Sequence, residues 1–215
     1  MGREQGSNTS VKSRPIHARN YSPKRSLTKP IIVAGSGVCY AAAVGYYAPL
    51  TQALGGSELH VLERWGLASP RRSVDNLVKR LRQLDAPTTL IGHSQGGLVA
   101  ALASEVVPDL VERVVTICAP LHGTLLAPPW SPVPSVREMS RAHLSRKTWQ
   151  PASTMVTVVA SEDRFVVPYT SGLRPEAEQH VLTGVGHCAI IWDARLHRLL
   201  RDVLARPSRF DQPAA

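Results

Sequence analysis

The residues that most restrict what this chain can become are Thr88-Thr89-Leu90-Ile91-Gly92-His93-Ser94-Gln95-Gly96-Gly97-Leu98-Val99. A short apolar run ends in Gly92, and after Ser94 the apolar residues Leu98, Val99, Leu102 and Val106 recur at helical spacing. The pattern predicts a strand that turns sharply into a helix with a serine at the apex, the nucleophile elbow. Glycines at 92 and 96 suit such a turn, because neighbouring backbone comes too close for side chains.

The rest of the chain repeats strand-then-helix. Pro30 to Ala34 is an apolar strand running into Gly35-Ser36-Gly37, and Ala41 to Leu54 reads as a small-residue helix. Glu58 to Glu63 is a short strand. Pro70 opens a helix in which Val74, Leu77, Val78, Leu81 and Leu84 share one face and Arg71, Arg72, Lys79, Arg80 and Arg82 lie elsewhere. Val111 to Ala119, Thr154 to Ala160 and Gln179 to Leu182 read as further strands, and Trp192 to Leu204 as a closing amphipathic helix. Nearly continuous apolar strands alternating with helices predict an α/β fold: a mostly parallel sheet with helices on both faces. Residues 121–151 interrupt the pattern with five prolines, and only Val136 to Arg146 is expected to be helical there. Such an insertion reads as a short proline-rich lid or cap facing substrate.

At 215 residues the chain suits one domain, set here at residues 30–206 with a tail at 207–215. Its net charge of +9 resembles a nucleic-acid signal until it is located. Residues 1–30 hold seven Lys or Arg against one Glu, so six of the nine charges sit in an N-terminal arm, residues 1–29. An arm of this composition is expected to be disordered and to make weak contact with anionic surfaces, with no specific nucleic-acid partner. It lacks the apolar core of a secretory signal, so the cytoplasm is the expected compartment. Cys39, Cys118 and Cys188 are an odd set without Cys-x-x-Cys spacing, which predicts buried free thiols.

A serine hydroxyl becomes a competent nucleophile when a base takes its proton and a carboxylate orients that base. Among eight histidines, His187 in Gly184-Val185-Gly186-His187-Cys188 lies in a loop between the last strand and the closing helix, where a sheet exposes reactive groups. His93 is assigned to packing of the elbow, and His122 is placed facing the cleft. Asp163, directly after a strand, is preferred as the acid over Glu162 and the remoter Asp193. The order Ser94, Asp163, His187 is the one expected of a serine on a strand-to-helix elbow. The Gly35-Ser36-Gly37 loop lacks the third glycine and the acidic residue of a dinucleotide site, and reads instead as a source of backbone N–H groups for an oxyanion. Leu125, Leu126 and Trp130 suggest an apolar acyl site beside Leu121 and His122.

Gly92-His93-Ser94-Gln95-Gly96-Gly97, Ala119-Pro120-Leu121-His122-Gly123-Thr124, Asp163 with Val166-Val167-Pro168, and Gly186-His187 together resemble small bacterial lipases and esterases of the α/β-hydrolase family, over residues 30–204. The resemblance implies the α/β-hydrolase fold and ester hydrolysis through an acyl-enzyme, with no metal or cofactor. It also implies an oxyanion hole formed by the N–H groups of Gln95 and of Ser36 or Gly37. Where the family's first strand ends in a His-Gly pair, this chain has Ala34-Gly35-Ser36. An acyltransferase or thioesterase with the same residues, a cutinase-like esterase, and a non-catalytic binding module remain alternatives.

Overall fold

The computed structural model describes residues 28–84, 86–144, 147, 154–208 and 210. Six strands form one sheet: β1 Ile31–Val33, β2 Glu58–His60, β3 Thr88–His93, β4 Val111–Ile117, β5 Thr154–Ala160 and β6 Glu178–Leu182. All neighbours run parallel in the order β2-β1-β3-β4-β5-β6. After β1 the chain first goes outward to β2 and then returns to the other side of β1 to lay down β3. The order therefore reverses at β1, the kind of switch point beyond whose strand carboxyl ends parallel sheets place their ligands.

Residues two apart on a strand point to the same face, and the packing follows that rule. Ile31, Val33, Leu90 and Val114 pack with Leu77 and Leu81 of α2 (Pro70–Leu81 after α1, Tyr40–Ala53) and with Val99 of α3 (Gln95–Val106). Ile32, Ile91 and Val115 face the opposite way, against Tyr47 and Leu50 of α1 and Leu196 and Leu200 of α6, Ala194–Ala205. Both faces are thus covered, as the apolar strands require. The edge strands depart from that pattern: β2 is only partly buried and most of β6 is exposed, which is why Glu58, His60, Glu178 and His180 are tolerated there.

Ser69 caps α2 by accepting from the Arg71 N–H, with Pro70 at the first helical position. On β4, Arg113 lies in the interior and donates to the Val203, Arg206 and Pro207 carbonyls at the end of α6, with Glu112 at 4.0 Å. Thr28 donates to the Pro87 carbonyl and Thr88 donates to that of Lys29. The folded body therefore includes Thr28 and Lys29, assigned above to the arm, and Pro207, assigned to the tail. The remainder of the basic arm lies outside the described residues.

The insertion after β4 differs from expectation in its helix. Among the described residues of the expected helix, 136–144, two short helices stand in its place, α4 Pro134–Glu138 and α5 Arg141–Leu144, and residues 145 and 146 lie outside the described residues. The break has a tertiary cause: Thr124 donates its N–H to the Met139 carbonyl at 3.0 Å, and the Gly123 Cα sits against the Ser140–Arg141 backbone. The start of the insertion is also tied down elsewhere. The Leu125 N–H reaches the Val167 carbonyl, while Thr124 Oγ1 donates to the Phe165 carbonyl and accepts from the Val167 N–H. Cys118 is buried as expected, but Cys39 and Cys188 are exposed because both lie in surface loops at helix starts; all three are free thiols. Among the described residues no helix is long and apolar enough to cross a membrane.

Candidate active site

Ser94 ends β3 and precedes α3 with φ 55° and ψ −129°, a conformation L-residues avoid unless the surroundings impose it. The surroundings here are backbone. A Cβ on Gly92 would lie 2.4 Å from Gly97 Cα, and one on Gly96 would lie 2.2 Å from the Val33 carbonyl oxygen. The Ser94 N–H is anchored to the Ile117 carbonyl of β4 at 2.8 Å. The strained apex is thus held from both sides, by β1 through Gly96 and by β4 through its own N–H.

Asp163 follows β5. Its Oδ1 accepts the Phe165 and Val166 N–H groups, each at 2.8 Å, and its Oδ2 accepts from His187 Nδ1 at 2.7 Å. Burial pushes the carboxyl upward, yet the His187 hydrogen bond and charge, with the two backbone donors, hold it below its ordinary range. Because Nδ1 carries the proton given to Asp163, the lone pair of neutral His187 is on Nε2. Glu162 makes no comparable contact with His187, and Asp193 instead caps α6 and pairs with Arg195 on the surface. Of the three acids weighed, only Asp163 meets the histidine.

His187 sits in the loop after β6, and its carbonyl accepts from His93 Nε2 at 3.0 Å. The base-bearing loop is therefore bonded to the residue immediately before Ser94. Among the described residues no hydrogen bond joins Ser94 Oγ to His187 Nε2, a contact that commonly tightens only when substrate arrives. Phe165, which no motif singled out, lays its ring 5.1 Å from that of His187 and is exposed on its other side.

Cys118 is a second residue with no sequence signal for its place. It stands just past β4 at φ 50°, fully buried, with its thiol beside Asp163. Burial first, then the Asp163 charge, pushes the thiol pKa up, so it stays protonated. Cys118, Asp163 and His187 bring three ligand-type atoms within 4.8 Å of one another. As a metal site the set fits poorly, since His187 Nδ1 is spent on Asp163, both carboxylate oxygens are occupied, and a metal would need the thiolate that burial disfavours.

The oxyanion loop needs one correction. The Gly37 N–H donates to the Trp65 carbonyl at 2.7 Å, so it is not free for substrate. Among the described residues no acceptor takes the N–H of Ser36 or of Gln95. These two remain the candidates for holding a developing oxyanion. Ser36 Oγ also donates to Gln95 Oε1, linking the side chains of the same pair, with Gly66 packed against both.

Of the five residues assigned to substrate binding, Leu121 must be withdrawn: it is fully buried against Leu98, Ala101, Ala119 and Leu144. His122 is half-buried, its N–H bonded to the Ser171 carbonyl. Leu125, Leu126 and Trp130 are exposed, Trp130 at 82%. Together with Phe165 they put apolar surface on the loops that follow β4 and β5.

A parallel sheet that reverses at β1, a serine on a strained strand-to-helix apex, and an acid and a histidine on later strand-end loops are arranged as in the α/β-hydrolase fold, and the chain has that fold. The alpha/beta hydrolase fold family model matches residues 49–147, which include the elbow but neither Asp163 nor His187. Three solved structures, each a lipase, share its fold. A monoacylglycerol lipase from Paleococcus ferrophilus is similar with a TM-score of 0.59 at 17% identity, over 82% of this chain and 95% of that one. A mature Bacillus licheniformis lipase gives 0.65 at 15%, over 85% and 94%. Lipase B of Aspergillus fumigatus gives 0.66 at 15%, over 88% of this chain and 55% of its own. No curated protein sequence matches the chain.

Proposed function

We propose that the protein is a serine hydrolase that cleaves carboxylic esters of apolar acyl groups through an acyl-enzyme. The observation that carries this reading is the 2.7 Å His187–Asp163 pair on a loop bonded to His93, one residue from the strained Ser94. His187 Nε2 takes the Ser94 Oγ proton as the oxygen attacks the ester carbonyl carbon. The negative charge that forms on the carbonyl oxygen meets the N–H groups of Gln95 and Ser36. Collapse of the adduct expels the alkoxide, which receives the proton from His187 Nε2. Water then repeats the sequence on the acyl-serine, releasing the acid. Asp163 keeps its charge throughout, fixing the tautomer and stabilising the imidazolium.

The exposed Leu125, Leu126, Trp130 and Phe165 support an apolar acyl group, as does the likeness to lipases. The test uses p-nitrophenyl esters of increasing acyl length, with Ser94→Ala as control. Wild type is expected to hydrolyse them and to be labelled by a fluorophosphonate, and Ser94→Ala to do neither while melting at an unchanged temperature. Turnover that survives in Ser94→Ala would sink the mechanism. Products formed with an added alcohol separate hydrolysis from acyl transfer.

A further inference from the structure

We infer that Tyr47 and His93, with Tyr46 beside them, are positioning residues that lock the oxyanion loop and the His187 loop to one another behind Ser94. The inference rests on the hydrolase reading above and adds to it parts that neither the elbow nor the acid–base pair requires. The observation is a continuous hydrogen-bond chain through the interior. The Gly35 N–H donates to the Tyr47 hydroxyl at 2.9 Å, that hydroxyl is 3.0 Å from His93 Nδ1, and His93 Nε2 is 3.0 Å from the His187 carbonyl.

The chemistry of the ends fixes every proton between them. A carbonyl only accepts, so His93 Nε2 must carry hydrogen and donate to His187. Neutral His93 then has its lone pair on Nδ1, which accepts the Tyr47 O–H. The Tyr47 oxygen is left to accept from Gly35, an N–H that only donates. No member is left over, and Tyr47 and His93 are almost wholly buried. A fully satisfied buried polar chain is rigid, because breaking any link strands a group away from water.

Each end falls where the reaction needs accuracy. Gly35 immediately precedes Ser36, and a Cβ at Gly35 would stand 3.2 Å from Ser94 Cβ. The His187 carbonyl belongs to the residue that takes the proton from Ser94. Tyr46, next to Tyr47 on α1, donates to the following carbonyl, Cys188, at 2.7 Å, and its own carbonyl accepts from Trp192 Nε1 at 2.9 Å. Consecutive carbonyls of the His187 loop are thus held by consecutive tyrosines of one helix, one directly and one relayed by His93. The loop that begins Ala34-Gly35-Ser36 is braced from α1 and the elbow rather than by a histidine of its own.

The test is made on the full chain. Wild type, Tyr47→Phe, His93→Leu, His93→Gln and the Tyr47→Phe/His93→Leu pair are titrated with a fluorophosphonate to count competent sites, and kcat and KM are measured on p-nitrophenyl butyrate. Misplacement of reacting groups lowers the rate constant more than affinity, so Tyr47→Phe is expected to lose about tenfold or more in kcat per titrated site with KM within about twofold. His93→Gln, which keeps a donor and an acceptor, should retain more kcat than His93→Leu. The double variant should lose less than the product of the single losses. Faster hydrogen exchange of the Gly35 amide in Tyr47→Phe should accompany the loss. Wild-type kcat per titrated site in both Tyr47→Phe and His93→Leu, or losses that multiply in the double variant, would overturn the inference. If Tyr47→Phe does not fold, equal kcat in His93→Gln and His93→Leu overturns it alone. A wild-type protein without esterase activity refutes the proposed function instead, whereas an active wild type with indifferent variants refutes only the brace.

Discussion

Acid should weaken this fold in part through one buried histidine, and the size of that part follows from where the residue sits. His93 is 5% exposed. Burial, reinforced by the charge on His187, lowers its pKa from 6.5 to about 3. The unfolded chain lacks that environment, so between those values it takes up a proton that the folded chain refuses. Stability from a neutral His93 is therefore complete above about pH 6.5 and is lost as the pH falls toward 3. The slope is ~1.4 kcal/mol per pH unit, which amounts to about 2–3 kcal/mol between pH 6.5 and about 4.5. His93→Gln keeps a donor and an acceptor but does not titrate. Near pH 8 it should be less stable than wild type by ~1 kcal/mol, from imperfect hydrogen-bond geometry. On acidification it should lose about 2–3 kcal/mol less than wild type, so that the two curves meet or cross. Urea unfolding of both proteins at several pH values measures this, and groups common to both cancel in the difference. Curves that stay parallel down to about pH 4.5 would refute the reasoning.

Asp163→Asn can still accept from Phe165 and Val166 but no longer carries the charge that orients His187, so kcat on an ester should drop by about 10³–10⁴; retention within tenfold would exclude Asp163 as the partner acid. Gly96→Ala must move the end of β1, because its Cβ would stand 2.2 Å from Val33 O, and a loss of about 2 kcal/mol or more in denaturant unfolding is expected. With a chromogenic disulfide reagent, two thiols, Cys39 and Cys188, should react in the native protein, and Cys118 only after unfolding.

What could be read from the residues was local. An apolar run such as Ile31–Val33 marks a buried parallel strand because such a strand has no polar face. The elbow shows itself because its glycines are demanded by contacts within a few residues, Gly92 against Gly97. Asp163 and His187 could be placed because loops after strands gather at one end of a parallel sheet. What could not be read depends on partners distant in the chain. Nothing near Gly37 announces that Trp65 will take its N–H, and nothing near Leu121 shows that Leu144 will cover it. The helix expected over 136–146 breaks because Thr124 takes the Met139 carbonyl. Cys118 looks like an ordinary core thiol until Asp163 arrives beside it. The Tyr47–His93 pair spans 46 residues, and its meaning lies in which backbone groups it reaches.

The guanidinium of Arg113 extends this to the far end of the chain. A helix terminus ordinarily finds its last hydrogen-bond donors in solvent or in a local cap, but α6 finds some of its own on the middle of a strand. The closing helix and the sheet therefore share one cation, and neither is complete alone. A chain cut after Leu204 would remove two of the three carbonyls that cation donates to, those of Arg206 and Pro207, and leave a buried charge short of acceptors, which is strongly destabilising. The last residues before position 208 thus belong to the core as much as any leucine does, and a fused tag or partner domain would be tolerated only beyond them.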